Sequence, residues 1–210
     1  YNGIPTDDYF RSREERIRVR SLLNISENDT ALLLPARWHA DKDYPNFFAA
    51  AKRVLVNVPS AKFLLAGAGT ETANIELQRM IEATGAQDAF VPLGFRQDMR
   101  SVFSAADVGV LSSRTEAMPN VLLEGMACEL PFAATDVGDI SRIVGDTGQI
   151  VPPANPGALA DAMVALALDA KGREARGKAA RQRICEAYSI EASAERYAAL
   201  YRQLTSGGRA

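Results

Sequence analysis

Short apolar runs alternate along this chain with longer stretches in which apolar residues recur at helical spacing. The runs at 31–36, 62–66, 89–93, 107–111, 131–135 and 149–151 have strand length and little polar interruption, as strands buried on both faces do. Between them, apolar positions three and four apart predict helices over 45–57, 72–84, 98–105, 119–127, 140–144 and 156–168. The helix at 45–57, for example, sets Phe47, Phe48, Ala51, Val54 and Leu55 on one side. Such alternation implies an α/β fold, a doubly wound parallel sheet of Rossmann-like form.

The two ends read differently. Residues 11–23 are charged and helical in pattern. From Asp169 the chain turns basic, with Lys171, Arg173, Arg176, Lys178, Arg181 and Arg183 broken by Glu174 and Glu186. A solvated helix face is the expected reading, against the alternative of attraction to an anionic membrane surface. A last helix over 190–204 carries Ala194, Tyr197, Leu200, Tyr201 and Leu204 on one stripe and is expected to pack against the rest. The 210 residues suffice for one sizeable core, so 1–210 reads as a single domain with terminal helices over about 170–210. A net charge of −2 argues against nucleic acid as a main partner. No apolar run reaches the ~20 residues of a spanning helix, and no leader pattern opens the chain. Cys128 and Cys185 fall in helical contexts and read as reduced thiols, so a cytoplasmic protein is expected.

Chemistry collects in the loops that follow the strands, where such sheets bind ligands. Arg37, Lys42, Gly67, Gly69, Gly94, Phe95 and Glu116 all fall there. The stretch Ser113–Ala127 joins strand, polar loop and helix, with Pro119 expected at the first helical position. Backbone N–H groups and the positive end of the helix dipole make that start a place for an anion. Arg37 and Lys42 add two cations. Glu116 stands just before the helix, and Glu124 lies about 7–8 Å along it from Pro119 at 1.5 Å per residue. Carboxylates only accept, so both suit paired sugar or ribose hydroxyls. Glycines let a planar ring approach the backbone. Together these groups describe a nucleoside diphosphate carrying a sugar.

These motifs resemble the C-terminal, donor-binding half of a GT-B glycosyltransferase of family 4, the glycosyl transferases group 1 family. Asn2-Gly3-Ile4…Phe10 is similar to that half's opening, Arg37…Lys42 to its Arg…Lys element, and Gly67-Ala68-Gly69 to its Gly-x-Gly. Leu93-Gly94-Phe95 matches the stretch beside the base, and Glu116…Glu124 the Glu-x7-Glu signature. Residues 134–138 and 148–151 match later segments. The resemblance implies that Arg37 and Lys42 hold the diphosphate and Glu124 the ribose hydroxyls. Glu116, Ala117 and the backbone from Met118 through Pro119 and Asn120 to Val121 would hold sugar and phosphates. It further implies transfer with retention from a UDP-, GDP- or ADP-sugar, with no cofactor and no metal. The acceptor, a glycan or lipid, would be bound by an N-terminal domain absent from this sequence, so the segment alone is expected to transfer nothing. Assembly of polysaccharide or lipopolysaccharide at the inner membrane face is the corresponding expectation for the full-length protein.

Four positions depart from the family pattern. Ala117 stands where Gly is frequent, Gly125 where Ala is, Asp43 follows Lys42 in place of Gly, and Arg142 replaces a common Glu. Asp41-Lys42-Asp43 also spells a metal-nucleotide signature, against which the intervening Lys42 and the strand context speak. His39, the single histidine, reads as a solvent-facing loop residue. Other readings are a nucleotide-sugar epimerase of the same fold and a non-catalytic nucleotide-binding module.

Overall fold

The computed structural model describes residues 2–206. Strands β1 (Thr30–Pro35), β2 (Ala61–Ala66), β3 (Phe90–Gly94), β4 (Val108–Leu111), β5 (Phe132–Thr135) and β6 (Gln149–Val151) form one parallel sheet. Their order is β3-β2-β1-β4-β5-β6. This is the doubly wound arrangement expected from the alternation, and each strand begins within a residue of its expected place. Leu32 and Leu34 enter one helical layer, with Phe47, Val54, Leu159 and Met163. Ala31 and Leu33 enter the other, with Phe103, Leu122, Met126 and Ile184. Side chains alternate across a strand, so apolar layers on both faces demand an unbroken apolar run.

The helices are α1 (Arg13–Leu22), α2 (Tyr44–Asn57), α3 (Ile75–Glu82), α4 (Met99–Ala105), α5 (Asn120–Ala127), α6 (Ile140–Val144), α7 (Pro156–Leu168), α8 (Ala170–Ala187) and α9 (Ile190–Ser206). Two of the starts that differ from expectation have a visible cause. Helix α3 begins at Ile75 instead of 72, because the Asn74 side chain accepts from the N–H groups of Glu76 and Leu77 and caps it there. Pro119 is the extended residue before α5 (φ −73°, ψ 116°), not its first helical residue. Its fixed φ suits either place, and its carbonyl takes the Leu122 N–H at 3.1 Å.

The basic stretch has a more specific use than a solvated face. In α8, Arg173 donates to the carbonyls of Leu166 and Ala167 at the end of α7. Arg181 donates to Ala127 O at the end of α5, and Arg183 to Arg142 O and Ile143 O in α6. Arg196 of α9 reaches Ala187 O, where α8 ends. Helices end in unpaired carbonyls and a partial negative charge, so these guanidiniums complete several termini at once. The stripe on α9 is a correction of another kind. Tyr197, Leu200, Tyr201 and Leu204 are each half or more exposed, and no described residue covers them. Helical spacing shows that a face is apolar but not what lies against it.

A buried ion cluster ties α1 to the start of β4. Arg20 is 1% exposed, and its Nη1 lies 3.2 Å from Asp107 Oδ2 while Arg16 Nη2 lies 3.0 Å from Oδ1. Arg20 also donates to the carbonyls of Ala105 and Asp29, and Asp107 accepts the Ala31 N–H at 2.8 Å. Such a cluster holds because each charge is both paired and hydrogen-bonded. Arg20→Ala would leave Asp107 and several carbonyls underpaired. Urea unfolding should show a loss of about 3 kcal/mol, and a loss near zero would mean the cluster is not sealed from water.

Candidate functional site

The strand order reverses between β1 and β4, and the loops that follow those two strands diverge around a crevice. After β1 the chain passes through exposed Arg37 and a 3₁₀ turn at Ala40–Lys42, capped by the His39 ring accepting from Asp41 N–H. Asp43 follows in the left-handed region at φ 47° and starts α2. The β4 loop is stitched directly to this segment. Ser112 Oγ donates to Lys42 O at 2.6 Å, and Arg114 N–H donates to Asp41 O at 2.8 Å. Arg114 Nε lies 2.8 Å from Asp43 Oδ2.

Those stitches put Lys42 against Glu116. The ammonium donates to Glu116 Oε1 at 2.5 Å, and Ser113 Oγ donates to the same oxygen at 2.7 Å. Lys42 therefore lies against the loop that leads into α5. Behind the loop, Thr135 Oγ1 donates to Ser113 O at 2.7 Å, and Asp139 N–H to Ala117 O at 2.9 Å. At Gly138 (φ 57°) a Cβ would fall 2.3 Å from Glu116 O, so only glycine lets this backbone latch onto the loop.

Core packing aims the start of α5. At Gly125 a Cβ would lie 2.7 Å from the Phe132 ring, so this departure from the family pattern is the space into which Phe132 fits. Met118 packs on the same core, and Pro119 is buried. Asn120 is exposed, its Oδ1 accepting from Asn2 Nδ2 at 3.4 Å. The free N–H groups of Asn120 and Val121 thus head a helix that the core holds still.

Beside this turn lies a cavity of about 320 Å³ lined by Pro35, Arg37, Gly67, Phe95, Met99 and Val121, among others. Gly67 admits the Ala36 carbonyl, which would sit 2.3 Å from a Cβ. Gly69 (φ 84°) and Gly94 (φ 65°) lie outside the lining and shape the turns below it. Arg37 borders this cavity, whereas Lys42, in the same loop, sits at Glu116.

Glu124 is half-buried, not sealed in. Burial pushes its carboxyl above the usual range, partly opposed by a hydrogen bond from the Tyr9 hydroxyl. Tyr9 is pushed up to about 12, by burial first and then by that carboxylate. The sequence reading gave no individual role to Tyr9, Ser113, Arg114 or the Gly138–Asp139 latch. None has a chemical signature in sequence, although Asp43 in place of Gly was a visible pointer to Arg114. Of the Asp41-Lys42-Asp43 spelling, Asp41 lies 3.2 Å from His39 and Asp43 pairs with Arg114.

Comparison with known proteins bears on the family and the fold. Residues 29–169 match the family model described as glycosyl transferases group 1. The chain is 27% identical over 203 residues to N-acetyl-alpha-D-glucosaminyl L-malate synthase of Bacillus anthracis, covering 96% of this chain and 52% of that protein. It is 30% identical over 193 residues to alpha-D-kanosaminyltransferase of Streptomyces kanamyceticus, covering 90% and 49% respectively. Among solved structures, Anabaena Alr3699/HepE in complex with UDP superposes with a TM-score of 0.87 at 20% identity, over 97% of this chain and 56% of that one. The chain spans about half the length of the curated relatives it matches.

The Glu124 environment yields a pH-dependent expectation. A carboxyl whose folded pKa lies above its unfolded value favours the fold only while protonated. Glu124→Gln should therefore melt like the parent below the ordinary carboxylate range. Its melting temperature should exceed the parent's increasingly as pH rises through the raised value, then by a constant margin. Thermal melts from pH 3 to 8 check this, and a margin independent of pH would contradict it.

Proposed function

Because this chain belongs to the glycosyl transferases group 1 family, we propose that it is the donor-binding, C-terminal half of a retaining GT-B glycosyltransferase. In that reading a nucleoside diphospho-sugar lies across the crevice between the β1 and β4 loops. The nucleoside enters the cavity beside Phe95 and Val121, and Glu124 accepts its ribose hydroxyls. The diphosphate rests on the first N–H groups of α5, with Arg37 on one side and Lys42 on the other. Glu116 and the backbone at Ala117 face the sugar. The observation that carries this reading is the convergence of Lys42 and Glu116 beside the start of α5, across two loops 74 residues apart in sequence.

The chemistry follows from charge. As the bond between the anomeric carbon and the diphosphate breaks, negative charge grows on the leaving oxygens. Fixed cations and helix N–H groups stabilise that charge without reorganising. Removing one such group typically slows transfer by ~10²–10³. The Glu116 carboxylate lies where the sugar becomes oxocarbenium-like and favours that positive centre. With both cations supplied by side chains, this scheme calls on no resident metal or cofactor. The donor is a UDP-, GDP- or ADP-sugar, and the other half of the protein brings the acceptor, a glycan or a lipid. We place that reaction in the cytoplasm, at the inner membrane face when the acceptor is a lipid, and expect this half alone to transfer no sugar.

Titration calorimetry with UDP, GDP and ADP tests the reading and ranks the bases. At least one diphosphate should bind, and Lys42→Ala should weaken it roughly ten- to a hundredfold, as expected for a lost hydrogen bond between charged groups. Unchanged affinity in Lys42→Ala would overturn it.

A further inference from the structure

Asp43 is an unusual residue in an unusual place. It is 2% exposed, and its backbone is left-handed at φ 47°, a conformation glycine adopts freely and other residues at a cost. It immediately follows Lys42. Its Oδ2 lies 2.8 Å from Arg114 Nε, and its Oδ1 accepts from Arg114 Nη2 at 3.2 Å. The same Oδ1 accepts from Asn46 N–H at 3.4 Å, at the start of α2. Arg114 stands two residues before Glu116, and its own N–H holds Asp41 O at 2.8 Å. One guanidinium thus spans the gap between the two loops that bear Lys42 and Glu116.

We infer that Asp43 and Arg114 form a two-point clamp that positions Lys42 and Glu116 against the diphosphate, a role that rests on the donor-site reading above. One hydrogen bond, from Nη2 to Oδ1, beside the ion-pair approach of Nε to Oδ2, fixes orientation as well as distance, which a single ammonium could not do. The Arg114 side chain is 62% exposed, and a pair wholly in water would contribute little. Here the carboxylate is buried, so losing the guanidinium leaves a buried charge that must find water by shifting its loop. Lys42 moves with that loop. A glycine after Lys42 would adopt the same backbone with no means of gripping the β4 loop; aspartate trades conformational ease for a fixed spacing of the two charged groups. Neither member of the clamp touches the cavity beside Phe95, so its influence is confined to the phosphate and sugar end.

The experiment compares the binding of the best nucleoside diphosphate with that of its parent nucleoside by calorimetry, for this chain and five variants. Arg114→Ala should raise the diphosphate dissociation constant roughly three- to tenfold, the range of coupling within one polar network. It should leave nucleoside affinity unchanged. Asp43→Asn keeps the left-handed backbone and the cap on α2 but not the charge, and should show the same split. The double variant should lose no more than either single one, and Arg114→Lys should recover part of the loss. Equal losses for nucleoside and diphosphate would reduce the clamp to a general structural role and overturn the inference. So would unchanged diphosphate affinity in both single variants while Lys42→Ala weakens binding. If Lys42→Ala also binds normally, the donor-site reading itself falls, and the clamp with it.

Discussion

The crevice depends on one constraint: two loops distant in sequence are locked together where the sheet reverses its winding. Ser112, Arg114 and Glu116 take, in turn, Lys42 O, the Asp41–Asp43 turn and the Lys42 ammonium. Alternate residues of one loop thus clasp a short stretch of the other. Without those contacts the β1 loop would carry its cations on a mobile segment, and fixed charge would become averaged charge. Preorganisation of that kind is what lets a site stabilise developing charge without reorganisation when the bond breaks.

The core supports the crevice from below. Phe132 sits against Gly109 and Gly125, so β4, β5 and α5 approach more closely than side chains at those glycines would permit. The Gly138 turn then presses on Glu116 and Ala117 from the other side. Arg181 completes the far end of α5 through Ala127 O, and through Tyr9 O it holds the N-terminal segment that brings the Tyr9 hydroxyl to Glu124. Both ends of one eight-residue helix are therefore set by residues remote in sequence.

How much of this was legible beforehand follows from the kind of signal. Strands buried on both faces leave an unbroken apolar run, so all six appear where the pattern put them. That Lys42 and Glu116 lie in loops after strands was legible for the same reason. Helix starts were less so: Asn74 and Pro119 can each cap or precede a helix, and only their tertiary contacts decide. The α9 stripe was visible, but its exposure was not, since spacing carries no information about what covers a face. Asp43 was noticed as a departure, whereas its meaning required the left-handed φ and the guanidinium across the gap. Arginines directed at helix ends looked like ordinary surface charge, because hydrogen bonds to carbonyls of other helices leave no pattern in sequence.

The most direct measurement is a crystal structure of this chain with a nucleoside diphosphate bound. The account predicts the diphosphate against the N–H groups of Asn120 and Val121, with Lys42 Nζ in hydrogen-bond contact with a phosphate oxygen and Arg37 facing it. A diphosphate lodged elsewhere, with the start of α5 vacant and Lys42 turned from the phosphates, would contradict it.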